Sequence, residues 1–273
     1  MQKSKIDLIK NSTKFYKLDF GIDDIEKPEQ IYLLTFLATL SGFSGIDVEA
    51  KEGILKTAIE AIIKAKQKSK ELNMELKPNP LLCTSLGINL ISNLDDQKIY
   101  EKIGYLKDIE IDIIDIHFNE NDFLSNSGKI DYICNLFKEK IISVNLSRKR
   151  LSNIHMIDLL EKCFSHAKKN LVIEVEGMRF YGQSSSHMLQ TISTADIINK
   201  QFLQKNPKYK RIPIIFGNCI NRDLENLALK CNVSFKGISF NYQYINNFLN
   251  NETSYSNDDE IIKVIKKINL NLF

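Results

Sequence analysis

Glu174 and Glu176 stand two residues apart in the apolar run Leu171–Glu176, LVIEVE, and Gly177 follows before a polar loop that ends in Ser184 and Ser185. In an extended strand such residues share a face, so the two carboxylates project together while Ile173 and Val175 project the other way. The same parity recurs in other short β-runs, with Lys17/Asp19, Asp47/Glu49, Cys83/Ser85, Asp115/His117, Ser143/Asn145, Ile215/Gly217 and Ser239/Asn241 on one face. Carboxylates crowded together shift one another's pKa and can divide into a general acid and a general base. Asp47, Asp115 and Glu176 are the candidate acid/base set. Lys17 can form a Schiff base if burial depresses its pKa, can hold a substrate anion, or can be consumed in an ion pair with Asp47, Glu174 or Glu176.

Around this set, Asp19, Ser85, His117, Asn145, Gly177, Asn218 and Ser239 are candidate substrate contacts. Arg148, in the loop after one β-run, suits a carboxylate or phosphate, and Ser184 and Ser185 sit where a helix start offers backbone N–H groups to an anion. Asp47, Glu49, Asp115, His117 and Glu176 together could ligate a divalent metal. Oxygen donors with one imidazole favour Mg²⁺ or Mn²⁺ over zinc. Glu174 is expected to lie deeper and pair with Lys17, leaving Glu176 nearer solvent to exchange a proton.

The elements that must position these groups are legible as alternation. β-runs at Phe15–Phe20, Ile46–Glu49, Leu81–Leu86, Ile111–His117, Ile141–Leu146, Leu171–Glu176, Ile212–Gly217 and Phe235–Asn241 are separated by helical patterns, among them Ile54–Leu72, Asp95–Leu106, His155–Lys168, Met188–Gln204 and Leu224–Cys231. A last helix is expected over Glu260–Ile268. Strict strand–helix alternation with eight strands predicts an α/β fold, a (β/α)8 barrel over residues 15–273 in one domain, behind an N-terminal extension of residues 1–14. The parity opposite to the polar one is almost wholly apolar (Leu18/Phe20, Ile46/Val48, Ile114/Ile116, Ile173/Val175, Ile214/Phe216), as expected for strands whose outer faces pack on helices. Polar groups therefore collect inside the barrel at the C-terminal strand ends, where this fold places its active sites.

Composition narrows the function classes. A formal charge of +3 with dispersed lysines argues against nucleic acid as a partner, and Lys64–Lys70 reads as a solvated helix face. The five cysteines show no CxxC and no zinc spacing, which suits reduced, buried thiols. No apolar run approaches the roughly 20 residues of a membrane helix. The N-terminus has no signal-peptide core and is poor in arginine. No G-x-S-x-G turn supports a serine nucleophile. His155 and His166 are expected on a helix surface. A homo-oligomer is compatible with the sequence.

Several short motifs resemble the hypothetical chloroplast reading frame twenty-three family, TIM-barrel proteins of algal plastid genomes, cyanobacteria and plants. They are Lys17-Leu18 with Gly21-Ile22-Asp23-Asp24, Asp47-Val48, Ile111–Ile116 with a following NENDF, Glu176-Gly177 with Ser184-Ser185, and Ile212-Pro213. The resemblance spans roughly Phe15 to Asn241 and implies a TIM barrel in a plastid stroma, or in the cytoplasm of a bacterium. The chain departs from the family at Ser147-Arg148, at Cys219 and in the eighth run KGISFN, and the last two changes tell against a phosphate site built from strands seven and eight. Two functions follow as expectations. One is an enzyme that binds a small anionic metabolite and does acid/base chemistry at carbon, of lyase, aldolase or isomerase type. The other is a non-catalytic metabolite-binding or scaffold barrel.

Overall fold

The computed structural model describes residues 4–20, 27–75, 79–87, 94–117, 127–147, 152–176, 185–219, 222–249 and 257–272. Eight parallel strands, β1 (Phe15–Asp19), β2 (Gly45–Glu49), β3 (Leu81–Gly87), β4 (Ile113–His117), β5 (Ile141–Ser147), β6 (Leu171–Glu176), β7 (Ile214–Cys219) and β8 (Gly237–Asn241), close in sequence order into a barrel. The outer layer holds α2 (Pro28–Leu40), α3 (Glu52–Glu71), α4 (Asp96–Ile103), α5 (Ser127–Leu136), α6 (Asn153–Ala167), α7 (Ser185–Ile198), α8 (Asp223–Lys230) and α10 (Asp258–Leu272). The chain is a single-domain (β/α)8 barrel.

Local chemistry sets the element ends. Pro28 opens α2, where its missing N–H costs no helical bond. Asp95 caps α4 by accepting from Lys98 N at 2.9 Å, and Ser152 caps α6 by accepting from His155 N at 3.3 Å. The seventh strand begins at Ile214 instead of Ile212. Pro213 has no N–H to donate to the ladder and serves only as acceptor, from Ile173 N at 3.0 Å. Two expected helices end early: α4 tightens into a 3₁₀ turn over Gly104–Lys107, and α7 passes into a π-helical turn over Asn199–Leu203. A short helix, α9 (Gln243–Asn246), intervenes unforeseen before the last one.

The two parities separate into two cores. Outward residues of the strands, including Leu18, Ile46, Val48, Ile114, Ile116, Val144, Ile173, Val175, Phe216 and Phe240, join the buried faces of the helices in one large cluster. Each such side chain contributes about 1.5–3 kcal/mol by leaving water, so this shell holds the fold whatever the interior contains. Inside, the base of the barrel is apolar: Phe15, Leu81, Cys83, Ile113, Ile141, Val172 and Ile215 pack with Ile6 and Ile9 of a first helix, α1 (Lys5–Asn11). Within residues 1–14, then, α1 closes the lower end. Gly45 and Gly237 make room for Phe15; a Cβ on Gly237 would stand 2.1 Å from the Phe15 carbonyl oxygen.

Candidate active site

Above the apolar base the interior turns polar layer by layer. In a closed eight-stranded barrel the register climbs by about one residue per strand, so alternate strands share a layer. The observed pairs Asp19↔Asp47, Ser85↔Asp115, Asp115↔Ser143, Asn145↔Glu174 and Lys17↔Ser239 then place Asp47, Asp115, Glu174 and Ser239, from the even strands, immediately above Lys17. Asp19, Ser85, Asn145 and Gly217 follow, and Glu49, His117, Glu176 and Asn241 come last.

The Lys17 ammonium rises into the ring above it. It donates to Asp47 Oδ2 and Glu174 Oε2, both at 2.6 Å, and lies 3.5 Å from Asp115 Oδ2. Ser85 Oγ donates to Asp47 Oδ1 at 3.0 Å, His117 Nε2 lies 3.3 Å from Asp115 Oδ2, and Asn145 Nδ2 donates to Glu176 Oε1 at 2.8 Å. Lys17, Asp19, Asp47, Asp115, Glu174 and Glu176 are each at most 5% exposed. Asp47, Glu174 and Asp115 thus gather around one buried ammonium, with Asp19 and Glu176 in the layers above them, and buried carboxylates persist only where they are paired, protonated or bound to a cation.

The titration of the ring follows from this. Burial would lower the Lys17 pKa, but Asp47, Glu174 and Asp115 outweigh it and hold the ammonium charged well above the usual lysine range. A Schiff-base role needs the opposite shift, so of the three readings of Lys17 the geometry favours the ion pair, with Asp47 and Glu174. Burial, aided by Asp19 and Asp115, raises Asp47 to about 6 against the pull of Lys17. Burial with Asp115, Asp19 and Glu176 nearby likewise raises Glu174 well above the carboxylate range. Burial works the same way on Asp115, but Lys17 and His117 prevail and hold it below that range.

Other expectations fare differently. Glu176 does not reach solvent: it is 1% exposed, turned inward against Asn145. The expected metal set of Asp47, Glu49, Asp115, His117 and Glu176 does not gather. Asp47 and Asp115 are taken by Lys17, and Glu49 pairs with Lys51 at 2.9 Å. Among the described residues, the group whose ligand atoms all lie within 4.8 Å of one another is Asp19, Glu174 and Glu176. Asn218, at the rim, accepts from Asn241 Nδ2 at 3.3 Å and adopts φ 54° beside a register shift between β7 and β8. Arg148, Gly177 and Ser184 lie outside the described residues; Ser185 begins α7, its side chain outside them too. Glu174 and Gly217 are on the polar parity, but parity does not single them out as substrate or catalytic groups. Parity alone does not reveal that a Cβ at Gly217 would stand 2.7 Å from both Glu174 Oε1 and Glu176 Cγ.

Clefts also open at the opposite rim, one of about 340 Å³ between α1 and the start of β3. There Asp112 is paired with Lys5 and accepts from Leu82 N at 2.8 Å, so its carboxylate is committed to the fold. No helix among the described residues is long and apolar enough to cross a membrane.

No protein-family model matches the sequence, and no curated protein matches it. Solved structures do match in fold. A putative deoxyribose-phosphate aldolase from Toxoplasma gondii ME49 is similar over 96% of this chain and 96% of its own, with a TM-score of 0.54 at 11% identity. N-acetylneuraminic acid (sialic acid) synthetase from Leptospira borgpetersenii serovar Hardjo-bovis, solved in complex with citrate, is similar over 94% of this chain and 83% of its own, with a TM-score of 0.55 at 14% identity. Phospho-2-dehydro-3-deoxyheptonate aldolase (DAHP synthase) from Thermotoga maritima is similar over 94% and 69%, with a TM-score of 0.52 at 15% identity. What they share with this chain is the barrel.

Proposed function

We propose that the barrel is an enzyme of lyase or aldolase type, taking a small carboxylate or phosphorylated metabolite at its C-terminal mouth and moving protons at carbon. The observation that carries this reading is Asp47, a buried carboxyl raised to about 6 and fixed 2.6 Å from a lysine that stays charged. A carboxyl that titrates near neutrality can both take and return a proton, which abstraction next to a carbonyl requires. Glu174 is biased the same way, and Glu176 stands two layers higher, towards the mouth. Lys17 acts through these groups by holding Asp47 and Glu174 in place and supplying fixed positive charge. The names of the similar barrels, two aldolases and a synthetase, indicate which substrates to test first. The reading keeps a plastid protein as its setting, as the family resemblance implies, with Ser184–Ser186 or Arg148 proposed for the anionic end of the substrate.

The test is solvent exchange. Incubated in D₂O with a panel of 2-oxo acids and phosphorylated aldehydes, the wild-type protein is expected to exchange a C–H next to the carbonyl of at least one, seen by NMR. Asp47→Asn and Glu176→Gln should lose that exchange. A second reading, a non-catalytic metabolite-binding barrel, draws on the Lys17 cluster being a closed set of ion pairs. Binding of a panel member by wild type and both variants with no exchange would establish it.

A further inference from the structure

We infer that Asp19, Glu174 and Glu176, with the Ser239 hydroxyl, form a site for one hard divalent cation of the Mg²⁺ or Mn²⁺ class inside the barrel. Three observations meet at this place. The first is the donor set: three buried carboxylates offer oxygens within 4.8 Å of one another, a spacing that one ion can span. Glu174 divides its work, for Oε2 is bound to Lys17 at 2.6 Å while Oε1 has no hydrogen-bond partner among the described residues.

The second is the cradle. On β7, between β6 and β8, the inward position level with Asp19 is Gly217. A Cβ there would lie 2.7 Å from Glu174 Oε1 and from Glu176 Cγ, so the glycine keeps open the space towards which both glutamates lean. Any other residue at this position would force the carboxylates apart.

The third is independent of the acidic group. Ser239 on β8 is fully buried, projects inward on the same parity as Asn241, and pairs in register with Lys17, between the strands that carry Asp19 and Gly217. Its Oγ has no hydrogen-bond partner among the described residues. A buried hydroxyl without a partner is costly, and a neutral oxygen on the inward face of β8, beside the strand that carries Asp19, is of the kind that completes an oxygen shell around Mg²⁺ or Mn²⁺. Asn145 Oδ1, also fully buried and without a hydrogen-bond partner among the described residues, lies on the inward face of β5 and is available for a bound water. The inference does not depend on catalysis; a non-catalytic barrel would carry the same site.

The test uses the full chain after EDTA treatment, with Mn²⁺ alone as the probe. Titration followed by electron paramagnetic resonance and calorimetry should show one Mn²⁺ per chain, displaced by Mg²⁺, with a rise in Tm that grows with Mn²⁺ concentration. Asp19→Asn and Glu176→Gln should weaken Mn²⁺ at least tenfold and Ser239→Ala several-fold, whereas Glu49→Gln should leave it unchanged. Because Asp19→Asn removes charge without volume, circular dichroism of the variant is expected to match wild type. If it does not fold, Ser239→Ala decides. No saturable Mn²⁺ binding, or binding indifferent to both Ser239→Ala and Glu176→Gln, overturns the site. Mn²⁺ binding without any solvent exchange at carbon would leave the cation site standing and remove the enzyme reading.

Discussion

Lys17 Nζ and Glu174 Oε2 meet at 2.6 Å although 157 residues separate them, and both are buried in the barrel interior. With Asp47 at the same distance on the other side, the ammonium joins β1, β2 and β6 at one point. Removing one partner of such a cluster strands the others. Lys17→Met should therefore lower the unfolding free energy by about 3–5 kcal/mol in urea titrations at neutral pH. A loss under about 1 kcal/mol would show that the ring protonates without strain and has no need of the lysine.

Glu176→Gln should behave in the opposite sense. The amide keeps an acceptor for Asn145 Nδ2 and removes one like charge from the crowded interior. Its Tm should equal or exceed the wild-type value in metal-free buffer, while solvent exchange at carbon is lost. A clear fall in Tm would assign Glu176 a structural part.

Asp47 has a folded-state pKa of about 6, above its ordinary 3.8. The folded state thus binds this proton more tightly than the unfolded chain. Its contribution to stability is full below the ordinary value and is lost as pH rises through about 6. Glu174, raised for the same reason, adds to the effect. In metal-free buffer Tm should fall as pH rises from about 4 through about 6, and Asp47→Asn should flatten that slope. An unchanged slope in the variant would mean that the proton resides elsewhere.

Glu225 works with the other sign. Burial pushes its carboxyl up, but the bonds from Arg222 Nε at 2.8 Å and from Lys14 prevail and hold it below the ordinary value. Its stabilisation is present above the ordinary glutamate pKa and is lost as pH falls through the depressed one. Both cations are partly exposed, so screening limits the effect. Glu225→Gln should cost about 1–2 kcal/mol at neutral pH, and the difference from wild type should close below about pH 4.

Gly217→Ala tests the close approach on β7. The added methyl meets Glu174 Oε1 and Glu176 Cγ at 2.7 Å, which no rotamer of the alanine can relieve. The expected loss is about 1–3 kcal/mol in urea, from displaced carboxylates. Stability equal to wild type would show that the glutamates can turn aside without cost.

Periodicity along the chain determined the barrel. Short runs of two-residue alternation between helical patterns admit few topologies. Apolar side chains on one parity, such as Ile173 and Val175, with carboxylates on the other, Glu174 and Glu176, already state which face of β6 lies inside. Parity is local, and local chemistry is what a sequence displays. Register is not local. Which inward residues share a layer depends on how eight strands stagger around a closed ring, and only that stagger sets Asp47, Asp115, Glu174 and Ser239 above Lys17. The same distant pairing decides among the open readings of Lys17 in favour of an ion pair, because its partners are carboxylates contributed by β2, β4 and β6. Of the expected metal set of Asp47, Glu49, Asp115, His117 and Glu176 it kept only Glu176, which it joined with Asp19 and Glu174. In the sequence Gly217 is an unremarked inward glycine. The absence of its side chain matters only once β6 lies beside β7 and two glutamates lean into the space it leaves.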